Sequence, residues 1–258
     1  MITIFCNGLL KKSLFGQLEI VNEGNKWASS TKRKVHGPFG DVIKERTMVV
    51  KCLQAEFQFD MGLSTKTIVD WKMFCRDVAA SYFLNHPEKI EGGISKTVEI
   101  DETVLCKPKY HRGRELAKEQ QWFFGGIERG SGKAFMEPVI ARNALTLLPN
   151  LQKYVEPGSV VVSDCWAAYG GIENLPEGYT HYTVNHSVGF VNKKTKQHTN
   201  TIESQWQKFK QKHKERYGTH RGLLNSYMEE FLWRKKFGGV DIFYNFWSQI
   251  AEEYKIIS

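Results

Sequence analysis

Ser159-Val160-Val161-Val162-Ser163-Asp164 is a continuous β-branched run that ends on an acid. Such a run, without polar alternation, describes a strand covered on both faces. Pro157-Gly158 sits just before it and closes whatever element lies upstream. Asp164 therefore stands at the mouth of a buried strand, where open α/β sheets place their ligands. The competing reading makes Asp164 an N-cap for the turn Cys165-Trp166-Ala167.

Upstream, Val98-Glu99-Ile100-Asp101-Glu102-Thr103-Val104 reads as a strand. Asp101 shares a face with Glu99, and Glu102 points the other way. Gln121 to Ile127 and Ala134 to Ile140 are two further strands joined by the turn Arg129-Gly130-Ser131-Gly132-Lys133, so the three suggest an antiparallel meander. Leu147, Leu148 and Leu151 give Asn143 to Tyr154 a helical period. Downstream lie a short helix from Ala167, a strand over Tyr179 to Val184, and helices over Thr201 to Tyr217 and Leu223 to Phe237. This order is that of the ribonuclease H-like fold. The expected class is α/β: a mixed sheet flanked by helices, preceded by a small α-helical region.

In that architecture the first strand lies beside the central parallel strand. Asp101 and Asp164 would approach each other although 62 residues lie between them, and Glu203, beyond a further 38 residues, would cross over from a helix. Two strand-end aspartates and a helical glutamate suit a clamp for two divalent cations about 3.5–4 Å apart, as in phosphoryl transfer on DNA. Magnesium or manganese fits an all-oxygen set. Asp101, Asp164 and Glu203 are thus the candidate catalytic and metal-binding residues. Each has a plainer reading. Asp101 could lie on an exposed strand edge. Asn200 could cap the helix, with Glu203 completing a capping box. Against that, Ile202, Trp206, Phe209 and His213 form an inward face with Glu203 beside it. His181, His186 and His198 show no zinc spacing with cysteines, and Asn185-His186-Ser187 and His198-Thr199-Asn200 suit shaping the site or touching phosphate.

The 258 residues carry 36 Lys and Arg against 28 Asp and Glu, a net charge of +8. The excess is local: Lys193 to Lys236 holds 12 basic and 4 acidic residues, and the remainder balances. A basic stretch of this kind is the footprint of a phosphate backbone, or else a solvated helix face. Lys193, Lys194, Lys208, Lys210 and Lys212 are its DNA-binding candidates. Lys109, Tyr110, Arg112 and Arg114, in the basic-aromatic loop Lys107 to Arg114, join them. The five cysteines form no C-x-x-C pair, which fits a reducing compartment. No secretory leader or membrane span of roughly 18 apolar residues is read. A soluble intracellular protein is expected, nuclear in a eukaryote and otherwise cytoplasmic.

Residues 1–45 carry weak signals interrupted by glycines. Residues 46–90 read as two helices around Asp60-Met61-Gly62-Leu63-Ser64, with Ser64 an N-cap and Ile68, Trp71, Cys75, Val78 and Tyr82 at helical spacing. In a DNA-binding helix-turn-helix, Lys66 at the second helix's start would face phosphate. An ordinary helical hairpin is the alternative. The division expected is a weakly structured 1–45, a helix-turn-helix-like 46–90, a catalytic domain over 91–240 and a C-terminal tail over 241–258.

The motifs together carry a resemblance. Val98-Glu99-Ile100-Asp101-Glu102, Lys109-Tyr110-His111-Arg112-Gly113-Arg114, Trp122 to Arg129, Ser163-Asp164-Cys165-Trp166-Ala167-Ala168-Tyr169, Val184-Asn185-His186-Ser187 and His198 to Trp206 resemble the Merlin-type DDE transposases, related to bacterial insertion-sequence ISXO-like transposases. The likeness covers about residues 60 to 237. It implies a ribonuclease H-like core, a two-metal cut-and-paste reaction, Asp101, Asp164 and Glu203 at the catalytic positions, double-stranded DNA (transposon ends and target) as partner, and a homodimer or larger assembly. Family members commonly carry an N-terminal zinc ribbon with paired cysteines. Here only Cys6 and Cys52 precede the helical region. A domesticated or truncated transposase-derived DNA-binding protein without catalysis is therefore the second reading. A nuclease of the same fold acting on branched or hybrid substrates is the third.

Overall fold

The structure is a computed structural model that describes residues 64–254 except 88, 90, 91, 106–119, 190, 193 and 194. Strands β1 (Thr97–Val104), β2 (Trp122–Glu128), β3 (Ala134–Val139), β4 (Val160–Asp164) and β5 (Thr180–Val184) form one sheet in the order β3-β2-β1-β4-β5. β1, β2 and β3 are antiparallel neighbours; β4 is parallel to β1, and β5 to β4. This mixed topology is that of a ribonuclease H-like sheet, as the order of elements predicts. β1 is the central strand, so the reading of Asp101 as an exposed edge residue is set aside. Of the three valines of β4, Val161 and Val162 are fully buried, Val161 in the core beneath the first sheet-covering helix, and Val160 is half-buried.

One sheet face carries helix α2 (Ala144–Tyr154), whose Leu147 and Leu151 pack with Val98, Ile100, Phe124 and Val161. Asn143 starts α2 by accepting a hydrogen bond from the Thr146 amide at 3.0 Å. The opposite face carries α3 (Asn200–Glu215) and α4 (Leu224–Phe237), whose Ile202, Trp206, Phe209, Met228 and Leu232 cover Phe123 and Ile127. The period-two side-chain alternation of β1 decides which residue meets which layer. Val98, Ile100 and Glu102 turn toward α2; Glu99, Asp101 and Thr103 turn toward α3.

Helix α1 (Thr65–Asn85) begins at Ser64, whose hydroxyl accepts from the Thr67 amide at 3.1 Å. Its Val78 and Ala79 pack with Trp233 of α4 and with Ile242, Phe246 and Ile250 of a further helix, α5 (Ile242–Glu253). The stretch read as a C-terminal tail thus holds an amphipathic helix with a buried face. Arg76, absent from the expected apolar stripe of α1, is buried with its guanidinium over the Tyr227 ring at 4.4 Å. The Ala167–Ile172 segment forms two 3₁₀ turns, Ala167–Tyr169 and Ile172–Asn174. The first of the two helices expected around Asp60 to Ser64 lies outside the described residues. Among the described residues no helix is long and apolar enough to cross a membrane.

Candidate active site

β1 and β4 pair Thr97 with Val160, Val98 with Val161 and Glu99 with Val162. Carried two residues on, this register sets Asp101 level with Asp164. Level residues on parallel neighbours face the same side of the sheet, with strands about 4.8 Å apart. That side is the one α3 crosses. Directly across β1 and β2, Asp101 faces Gly125, where an added Cβ would meet the Trp206 ring of α3 at 2.7 Å. The bare backbone of Gly125 therefore lets α3 lie close over the strand that carries Asp101.

Glu203 occupies the first turn of α3, where a negative charge suits the helix dipole. Its Oε1 accepts from the Thr199 hydroxyl at 3.2 Å and lies 3.6 Å from His186 Nδ1. His186 Nε2 is in turn 3.1 Å from the Thr199 hydroxyl. The helix starts one residue from the expected place: Thr199 is the N-cap and Asn200 is already helical, so the Asn200 capping box does not form. Asp164 Oδ1 accepts from the Trp166 amide at 2.9 Å, so it also braces the turn that follows its strand.

Burial pushes the Asp101 carboxyl up to about 7. The Glu102 backbone amide opposes the rise, and the charges of Glu102, Asp164 and Glu203 add to it. The three candidate acids thus lie within electrostatic reach of one another, in a site with surplus negative charge. A divalent cation is the natural counter-charge for such a donor set. As the side chains stand, no three His, Cys, Asp or Glu among the described residues converge closely enough to hold an ion between them.

The sequence-level histidine grouping divides. His186 alone of the three joins Glu203. His181 Nε2 lies 2.9 Å from the Ser163 hydroxyl, and His198 Nδ1 lies 3.3 Å from Glu99. Of the DNA-binding candidates, Lys66 and Lys208 are exposed, Lys210 is half-buried, and Lys212 is paired with Glu215 at 3.0 Å. Lys109, Tyr110, Arg112, Arg114, Lys193 and Lys194 lie outside the described residues.

Two sets of residues around the site escaped the sequence reading. On the α2 face, Arg142 donates to the buried Glu102 at 3.2 Å and lies over the Trp122 and Trp166 rings at 4.3 and 4.5 Å. On the α3 face, Arg129 bonds Glu99 at 2.6 Å, Gln197 at 2.7 Å and the carbonyl of His198. The acid-rich strand was the local hint for each pair; nothing local named the arginines.

Residues 92–236, more than half of the chain, match the ISXO2-like transposase domain. The chain belongs to that family. The resemblance read in the sequence motifs is borne out at this level, and the segment of this ISXO2-like domain spans every strand together with α2, α3 and nearly all of α4. A solved structure, the crystal structure of the catalytic core domain of BIV integrase, is 17% identical, covers 62% of this chain and 98% of its own, and has a TM-score of 0.38. Comparison with curated proteins gives no match.

Proposed function

We propose that this ISXO2-like domain is a DDE transposase that cleaves and joins DNA strands with Asp101, Asp164 and Glu203 as its catalytic acids. The observation that carries the proposal is the level register of Asp101 and Asp164 beneath the helix turn that bears Glu203. Two Mg²⁺ or Mn²⁺ ions held by these carboxylates would lower the pKa of the attacking water and stabilise the departing oxygen. The chain's own part is placement. β1 holds Asp101 within the central strand, and β4 holds Asp164 at its carboxyl end. α3 brings the third over them, and Glu203 must turn from Thr199 and His186 to join the pair. In the first reaction, water attacks a phosphodiester at the transposon end, the bond from phosphorus to the 3′ oxygen breaks, and a 3′ hydroxyl is released. In the second, that hydroxyl attacks a target phosphodiester, and one ester bond is exchanged for another.

Exposed Lys66 and Lys208, with Lys210 and Lys212 along α3, supply charge for the duplex. Lys109, Tyr110, Arg112, Arg114, Lys193 and Lys194 are proposed to act with them. DNA binding by an assembly of two or more copies belongs to this proposal. The test is incubation with linear duplex DNA and Mn²⁺ or Mg²⁺. Nicking and strand transfer are expected, and Asp164→Asn should lower both by at least about a hundredfold. Equal activity in wild type and Asp164→Asn would overturn the assignment. The second reading, a DNA-binding protein of transposase descent without catalysis, is favoured by the separation of the acids as they stand. It predicts salt-dependent DNA binding, no cleavage, and no effect of Glu203→Gln.

A further inference from the structure

The Glu99 carboxylate is fully buried, yet both of its oxygens are engaged. Oε2 accepts from the backbone amides of Thr201 at 2.8 Å and Ile202 at 3.0 Å. Oε1 accepts from the Thr201 hydroxyl at 2.8 Å and from Arg129 Nε at 2.6 Å. Thr201 and Ile202 are the second and third residues of α3, and their amides are among the donors that a helix leaves without an intrahelical partner. Thr199, the formal N-cap, makes no side-chain capping bond to the helix backbone. The Glu99 carboxylate, 102 residues before Thr201, does that work.

Glu99 lies two residues before Asp101 on β1, on the same sheet face. Glu203 follows Ile202 directly. The path from one candidate metal acid to another therefore runs through two strand residues, one buried carboxylate and one helix turn. Arg129, at the end of β2, locks the approach to that turn by holding Gln197 and the His198 carbonyl while it neutralises Glu99.

We propose that Glu99 is a positioning residue for metal binding. By capping the first turn of α3 from β1, it sets the distance and orientation of Glu203 relative to Asp101. The inference rests on the reading of Asp101, Asp164 and Glu203 as metal ligands. A glutamine at position 99 would turn either its carbonyl or its NH₂ toward the α3 amides. It would lose the charge that Arg129 answers, and one of its two heads would be a donor facing donors.

The test uses the full chain with two measurements. Hydrogen exchange over residues 199–206 is followed in the metal-free protein, and Mn²⁺ affinity is measured by calorimetric titration. Glu99→Gln should speed exchange at the Thr201 and Ile202 amides by about tenfold or more and weaken Mn²⁺ binding by about 10–100-fold, as the loss of groups that orient metal ligands does. Thr201→Val removes the hydroxyl donor alone and should fall between wild type and Glu99→Gln in both. If Glu99→Gln does not fold, Thr201→Val and Arg129→Lys carry the comparison. Unchanged exchange together with wild-type Mn²⁺ affinity in these variants would overturn the inference. If wild type binds no Mn²⁺ and Asp164→Asn changes nothing, the metal reading itself fails. Faster exchange with unaltered Mn²⁺ affinity would leave a helix cap with no positioning role and would also overturn the proposal.

Discussion

Asp101 stands directly across the β1–β2 pair from Gly125, and the Trp206 ring of α3 settles where a side chain at 125 would otherwise stand. The Phe135 carbonyl also lies 2.8 Å from that position, so the space is closed from two sides. One absent methyl group thus sets how near α3, and Glu203 with it, can come to the central strand.

Gly125→Val should therefore act on both stability and site. Overpacking costs about 1–3 kcal/mol, which denaturant unfolding would register as a lower midpoint. Because α3 must move outward to make room, the metal concentration that supports half-maximal cleavage should rise, while Gly130→Ala in the exposed β2–β3 turn should leave that concentration as in wild type. Equal metal dependence in Gly125→Val and wild type would show that α3 accommodates the side chain without shifting Glu203.

The raised Asp101 carboxyl has a stability consequence with a definite sign. Its folded pKa, near 7, lies above the ordinary carboxylate value near 4. Between these values the folded protein keeps a proton that the unfolded chain has released, so stability falls as pH rises through that window and stays lower above it. Asp101→Asn removes the penalty. Metal-free Asp101→Asn should melt above wild type at pH 8 and level with it near pH 4. After discounting for partial exposure, about 1–2 kcal/mol is expected, or a few degrees in Tm. Scanning calorimetry at the two pH values decides, and a wild type that is the more stable at pH 8 would contradict the argument.

The Glu102–Arg142 pair predicts an asymmetry. The Glu102 side chain is fully buried and forms an ion pair with Arg142 at 3.2 Å. Arg142→Ala strands a buried carboxylate and removes the packing between Trp122 and Trp166, so a loss of about 3–5 kcal/mol is expected. Glu102→Gln should cost less, because its uncharged amide needs less compensation. Chemical denaturation of the two variants measures the difference, and a smaller loss for Arg142→Ala than for Glu102→Gln would refute it.

Along α3, the basic residues should reveal themselves through salt. If Lys208 and Lys210 each meet a phosphate, the double change to Ala reduces the slope of log K against log salt by about 0.9 per contact. Fluorescence anisotropy with duplex DNA across a salt series reads this directly. An unaltered slope would make that stretch of α3 a solvated surface.

The elements legible in sequence were those whose signals are local. Val160 to Val162 announced β4, and Leu147 and Leu151 announced α2, with ends shifted by a residue. Asp164 and Glu203 stood out as candidates because each lies near the end of such an element, and Asp101 because it sits in an acid-rich strand. Long-range capping was not: Asn200 was the nearest polar residue in sequence, whereas Glu99 arrives only when the sheet forms. Arg76 escaped because a charged residue at a buried position is unexpected unless its aromatic partner, Tyr227, is known. The spacing of Ile242, Phe246 and Ile250 did carry a helical signal, and its partners on α1 lie too far upstream for sequence alone to show.

The family match stops at residue 236, yet Trp233 inside it packs against Phe246 and Ile250 beyond it and against Val78 before it. A fragment trimmed to 92–236 would leave an indole and its apolar neighbours facing water. Such a fragment should self-associate during purification, whereas one spanning 64–254 keeps that greasy seam closed. Anyone expressing the ISXO2-like domain in isolation would do well to carry both flanking helices along.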